Sequence, residues 1–201
     1  MFYEIPVEGD GNCMFTAIRL CMEINYLITK MECGDIPQQI IVNGKNHAMI
    51  KAGLRLRLKV VEWFRAHLDE EIEGMGKYIE NEERNWKRKD LIALELVKRG
   101  RDLEKDPTLE INRYLLDMSM HGKWGSTPEY TAASYLSKSQ IQIWQKGDGD
   151  PILINTVNDN SSKIYLRFHR NHYTSLITVE NYEILKKYIG DEKLRHMMPF
   201  K

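Results

Sequence analysis

Little in this chain assigns it a partner outright. Its 201 residues include only three cysteines, Cys13, Cys21 and Cys33, and none stands in C-x-x-C spacing. A disulfide framework and a zinc knuckle are both excluded by that usage. There is no excess of either charge, since 29 lysines and arginines balance 29 aspartates and glutamates. No global field therefore draws the protein to nucleic acid or to an anionic membrane. The basic run from Lys87 to Arg101 is interleaved with Leu91, Ile92, Leu94 and Leu96 at helical spacing, which reads as an amphipathic helix rather than a nucleic-acid surface. No apolar stretch approaches a membrane span, and no charged-then-apolar leader opens the sequence. The expectation is a soluble, cytoplasmic, monomeric protein. No His-x-x-x-His pair occurs either, so neither a metal nor a cofactor is expected.

What is there begins at Gly9. Gly9-Asp10-Gly11-Asn12-Cys13 is a tight polar turn, and the apolar run Met14, Phe15, Ala17, Ile18, Leu20, Cys21, Met22, Ile24 and Leu27 follows it. Apolar nearly all round, that run predicts a buried helix from Cys13 to about Ile28. A thiol at a helix start lies where free N–H groups lower its pKa. The same amides, from Asp10 through Cys13, can surround an oxyanion, and Gly9 and Gly11 permit the bending this needs. Asn12 or Asp10 can alternatively cap the helix.

Before this turn, residues 2 to 8 read as a lead-in. After the first helix comes a polar region around Gly34 to Gly44, then a charged helical tract from about 46 to 120. Gly74, Gly76 and Gly100 divide it, and Asp106-Pro107 starts its last helix. From 121 to 190 the texture changes. A short helix over about 128–136 precedes strands at Gln140–Trp144, 152–157, 163–168 and 172–179, with a closing helix from Asn181 to Ile189. Strands gathered at one end of a helical chain predict a single α+β domain over 1–201, with 46–120 as a helical arm.

A cysteine nucleophile needs a base with a third group to orient it. Among six histidines, His47, His67, His121 and His196 have no suggestive neighbourhood. His169 and His172 flank the turn Arg170-Asn171, and His172 opens a strand. Thr174, two residues on, shares its face and is placed to bond the ring.

Four collinear blocks resemble the ovarian tumour (OTU) family of papain-like cysteine proteases. Asp10-Gly11-Asn12-Cys13-Met14-Phe15-Thr16-Ala17-Ile18 is similar to the family's cysteine box. Trp124-Gly125 with Glu129 and Ala132-Ala133 resembles its W-G-x-x-x-E block, Ile141-Gln142-Ile143-Trp144 the following strand, and His172-Tyr173-Thr174-Ser175-Leu176 its closing histidine block. The resemblance implies a small central β-sheet packed between helices, with an enlarged helical arm that helps to grip ubiquitin. It also implies hydrolysis of isopeptide or peptide bonds after the C-terminal glycine of ubiquitin or a ubiquitin-like modifier, with ubiquitin or polyubiquitin chains as partners. Cys13 would be the nucleophile, His172 the base, and Asp10 the residue that shapes the oxyanion turn. Trp124 and Glu129 would be mainly structural, with Trp124 also a candidate to line the approach and bind substrate. Sources of such domains include viruses and bacterial effectors, for which the compartment would be the host cytosol.

One position departs from the pattern. Thr174 stands where the family often has Asp or Asn, and a hydroxyl carries no charge to stabilise imidazolium. Thr174, Asn171, Asp10 and Glu8 are the candidate orienters. Two other readings stand beside the enzyme: an OTU-fold ubiquitin-binding module that no longer cuts, and a papain-like protease with a non-ubiquitin substrate. The acidic cluster from Asp69 through Glu80, Glu82 and Glu83 is a candidate surface for a basic ubiquitin tail.

Overall fold

The computed structural model describes residues 1–72, 86–148 and 150–200. Its centre is α1 (Cys13–Glu32), which begins at the predicted thiol and runs one turn further than the apolar pattern required. Phe15, Ile18, Leu20, Ile24, Leu27 and Met31 are all inaccessible, and only the stripe through Arg19, Glu23 and Tyr26 reaches the surface. A helix so placed needs a layer on each flank. One layer is helical: α2 (His47–His67) packs along α1 and is joined there by α3 (Arg88–Lys98), α4 (Pro107–Ser119) and α5 (Thr127–Ser137). The other is a six-stranded sheet against which α1 lies.

The sheet runs β3-β2-β4-β5-β1-β6, comprising β1 (Phe2–Ile5), β2 (Gln140–Gln145), β3 (Ile152–Val157), β4 (Lys163–His169), β5 (His172–Thr178) and β6 (Met198–Phe200). Each neighbouring pair is antiparallel except β2 with β4. Residues 2 to 5 are therefore not a lead-in. They form a strand between β5 and β6, with Glu4 opposite Leu176 and Ile5 opposite Ser175. The closing segment α6 (Val179–Ile189) and α7 (Asp191–Leu194) carries the chain round to β6.

The two faces of β5 have different duties. Ser175 faces α1, where its hydroxyl donates to the Ala17 carbonyl at 2.9 Å. Thr174 and Leu176 alternate to the opposite face, where Leu176 joins Phe2 and Phe200 in a separate apolar cluster. The mixed α+β class expected from the sequence is the class observed.

Helix boundaries in the charged tract follow local chemistry. Asp106 caps α4 by accepting from the Leu109 amide at 2.9 Å, with Pro107 at the first helical position. Gly100, at φ 74°, follows the end of α3. Gly74 and Gly76 lie outside the described residues, as do Glu80, Glu82 and Glu83 of the acidic cluster. Of that cluster, Asp69 pairs with Lys89 at 2.6 Å and Glu70 with Arg88 at 2.7 Å, so these two carboxylates hold α3 against the end of α2. Among the described residues no helix is long and apolar enough to cross a membrane.

Candidate active site

The turn before α1 bends because Gly11 takes φ 75°, a left-handed angle that favours glycine. The same residue lies against the loop ahead of Trp124, where a Cβ on Gly11 would overlap the Gly122 carbonyl. Asp10 ties the turn internally, its Oδ1 accepting from the Asn12 amide at 2.9 Å. Its other oxygen lies 3.4 Å from His121 Nε2. Nothing in the sequence pattern suggested His121, whose link to the turn depends on where the loop after α4 returns.

Of the amides expected to form an oxyanion site, that of Asn12 is thus engaged by Asp10. The amides of Cys13 and Met14 act on the Cys13 thiol in the direction that lowers its pKa. Neither Asp10 nor Asn12 caps the helix with its side chain. Asp10 serves the turn, while Asn12 is buried, donates to Thr16 Oγ1 at 3.2 Å and accepts from Arg57 Nε at 3.1 Å. The first turn of α1 thereby keeps N–H groups free of any side-chain cap.

Cys13 is buried at 1% exposure, and the Tyr173 amide donates to its Sγ at 3.5 Å. Burial raises the thiol pKa above its ordinary value; the amides of Tyr173, Met14 and Cys13 act in the lowering direction without overcoming it, and Asp10 adds to the rise. The lowering expected from the helix start is therefore present but outweighed. A dry site opposes the thiolate more than a few N–H dipoles favour it.

His172 reaches the same place from the opposite layer. Arg170 and Asn171, at φ 48° and 62°, make the tight turn between β4 and β5, and His172 is the first residue after it. Its ring lies along the backbone of Gly9, where a Cβ would stand 3.8 Å from Nδ1. Burial lowers its pKa; Glu4, Val7 and Asp10 pull it upward. The structure so brings the turn that holds Asp10 and Cys13 to the start of β5, far along the chain, where the Tyr173 amide reaches the thiol and His172 lies beside Gly9.

The candidate orienters are not used as expected. Thr174 does lie on the His172 face, but its buried hydroxyl donates to Glu4 Oε1 at 2.8 Å. Glu4 Oε2 pairs with Arg167 at 2.5 Å. Asn171 occupies the hairpin turn and lines a cavity of about 660 Å³, and Glu8 is exposed. Among the charges acting on His172, Glu4 supplies the largest upward pull.

Trp124 is 44% exposed and lines the same cavity together with Asn171, Tyr173, Phe168 and Tyr114. It faces this cavity rather than the core, and the cavity meets the Cys13 neighbourhood through Tyr173, whose amide bonds the thiol. Glu129 is fully buried and accepts from the Ser126 amide at 2.8 Å and from Tyr114 Oη at 2.6 Å. Its role is to close the start of α5. Among the described residues no group of three His, Cys, Asp or Glu side chains is placed to hold a metal ion.

Neither a protein-family model nor a curated protein sequence matches the chain. Solved structures do. The viral OTU domain protease from Farallon virus aligns over 89% of this chain and 86% of its own, at 16% identity and a TM-score of 0.51. An OTU deubiquitinase from Wolbachia pipientis wMel aligns over 92% and 95%, at 14% identity and a TM-score of 0.50. This chain has the OTU fold. The four sequence blocks fall within it at α1, at the loop into α5, at β2 and at β5, which is the arrangement the OTU resemblance implied. What the OTU fold does not convey at such low identity is the reaction.

Proposed function

We propose that the chain is a thiol-dependent deubiquitinase that cuts after the C-terminal glycine of ubiquitin or a ubiquitin-like modifier. One observation carries this reading: a buried thiol at an uncapped helix start, bonded by the amide next to a histidine, inside a fold shared with an OTU deubiquitinase. Packing alone requires neither the left-handed glycine turn nor the missing cap.

The chemistry follows from the placement. His172 takes the Cys13 proton, and the thiolate attacks the carbonyl carbon of the terminal glycine. The carbonyl oxygen becomes an oxyanion among the first-turn amides. His172 returns the proton to the departing amine, the C–N bond breaks and a thioester remains. A water molecule, deprotonated by His172, then attacks the thioester, releasing the glycine carboxylate and restoring the thiol. The charge that steadies the imidazolium is assigned to Glu4, which sits behind Thr174. Asp10 shapes the turn, and Trp124 borders the channel for the modifier's tail. A single domain acting as a monomer in the cytosol is part of the same reading.

The test is incubation with ubiquitin bearing a C-terminal propargyl warhead, read by intact mass, alongside Cys13→Ala, His172→Ala and ubiquitin-like probes. One ubiquitin adduct on the wild-type chain, absent in Cys13→Ala, is expected. Absence of adducts with every probe overturns the reading and leaves a binding module or a protease for another substrate.

A further inference from the structure

Arg57 is the largest side chain with no solvent exposure, and among the described residues it has no ion pair. A buried cation without a carboxylate is costly unless its donors are all used. Here they converge on the turn before Cys13 and on the loop that braces it. Nε donates to Asn12 Oδ1 at 3.1 Å, Nη2 to the Gly11 carbonyl at 2.7 Å and the Lys123 carbonyl at 2.5 Å, and Nη1 to the Met118 carbonyl at 3.1 Å. The guanidinium lies 4.5 Å from the centre of the Phe15 ring.

A comparison within the chain shows what this costs α1. Among the described residues, two helices begin after an asparagine. At α2, Asn46 Oδ1 accepts from the Ala48 amide at 2.9 Å, an ordinary cap. At α1, Asn12 also precedes the first helical residue, but its backbone sits at ψ 0° where that of Asn46 is extended at ψ 131°, and its oxygen is held by Arg57 and caps nothing. Asparagine is among the strongest capping residues, so its diversion leaves the helix start less stable and chemically open.

We propose that Arg57 is a positioning residue for the nucleophilic turn. By holding the Asn12 amide oxygen and the Gly11 carbonyl, it keeps Asn12 from capping α1 and reserves the first-turn N–H groups for the Cys13 sulfur and the reacting oxygen. Arg57 touches neither; it acts through Asn12. The inference rests on Cys13 being the nucleophile but not on ubiquitin being the substrate.

The informative substitution is Arg57→Lys, which retains a cation for the carbonyls but lacks the Nε–H that faces Asn12. The full chain is treated with iodoacetamide across a pH series, and alkylation is followed at the Cys13 peptide by mass. The groups facing this thiol are Tyr173 from β5, whose neighbour His172 lies beside Gly9, Asp10 from the turn and, more distantly, Arg57 from α2. Released, Asn12 competes for the first-turn amides, and the alkylation midpoint rises by on the order of half a pH unit. In Arg57→Lys/Asn12→Ala no cap can form, and the midpoint returns toward that of Asn12→Ala alone. With a ubiquitin-derived substrate, kcat falls about tenfold or more in Arg57→Lys, with KM little changed.

An unchanged midpoint in a folded Arg57→Lys overturns the proposal, as does a double variant whose midpoint stays at that of Arg57→Lys. Arg57→Met is read by the same criteria if Arg57→Lys does not fold. If neither folds where Asn12→Ala does, Arg57 is a structural cation and the proposal fails. A wrong substrate assignment shows itself differently, as no turnover by the wild-type chain with the alkylation midpoints still measurable.

Discussion

Thr174 donates its hydroxyl hydrogen to Glu4, 2.8 Å away across the β5–β1 pair, and Glu4 in turn is locked to Arg167 at 2.5 Å. The acid on the His172 face of the sheet therefore comes from the first strand of the chain. Thr174 takes the position of an orienting acid while acting as the link to one. Glu4→Gln removes the charge and retains most of the shape. Loss of about 10- to 100-fold in kcat is expected, with KM for a ubiquitin substrate nearly unchanged. Thr174→Asp with Glu4 intact is not expected to raise kcat, because it places a second carboxylate beside Glu4 and two buried like charges raise each other's pKa. Steady-state kinetics of the two variants, singly and combined, check this.

The pH dependence follows from the same groups. Burial lowers the His172 pKa below its ordinary 6.5 and raises that of Cys13 above its ordinary 9.0. Between those limits the resting pair is neutral thiol and neutral imidazole. kcat/KM is expected to rise on an acid limb with a midpoint below 6.5 and to fall on an alkaline limb above 9.0. Glu4 raises the His172 pKa and Arg167 lowers it, so Glu4→Gln moves the acid limb to still lower pH. A midpoint that moves upward in Glu4→Gln would contradict the assignment.

How much of this was legible beforehand differs residue by residue. Cys13 and His172 could be read because a glycine turn before an apolar helix and a histidine opening a strand are local patterns. Glu4 could not: its place beside Thr174 exists only once β1 pairs with β5, and a four-residue strand carries too little alternation to reveal a face. Arg57 left a fainter trace. It interrupts the stripe Met49, Gly53, Leu56, Val60 and Phe64 on α2 at a position where an apolar residue is expected, and a charge there signals a buried partner. The thiol's raised pKa is hidden from the sequence for a related reason, since the helix-start effect is local but burial is set by the whole fold.

Trp124 offers a test of the channel. It is 44% exposed at the cavity rim and has no part in the proton transfers. Trp124→Ala is expected to raise KM for ubiquitin substrates by about 5- to 50-fold, in line with loss of an aromatic contact at an interface. Alkylation of Cys13 by a small reagent should change little. Equal losses in both assays would place Trp124 in the architecture of the nucleophile instead.

Gly11 and Gly34 provide a matched pair for the turn. Both have positive φ, 75° and 78°, so alanine is strained at either. A Cβ at Gly34 meets nothing within 4 Å, whereas at Gly11 it meets the Gly122 backbone, which cannot swing aside as a side chain can. Gly34→Ala should therefore cost about 1 kcal/mol of stability and leave turnover intact. Gly11→Ala must push apart the turn and the loop that Arg57 joins, moving the first-turn amides away from the thiol. A fall in kcat of at least about 100-fold is expected, beyond what its melting temperature explains. Thermal unfolding and turnover measured on both variants separate the two costs, because backbone strain is common to them and displacement of the nucleophile belongs to Gly11 alone.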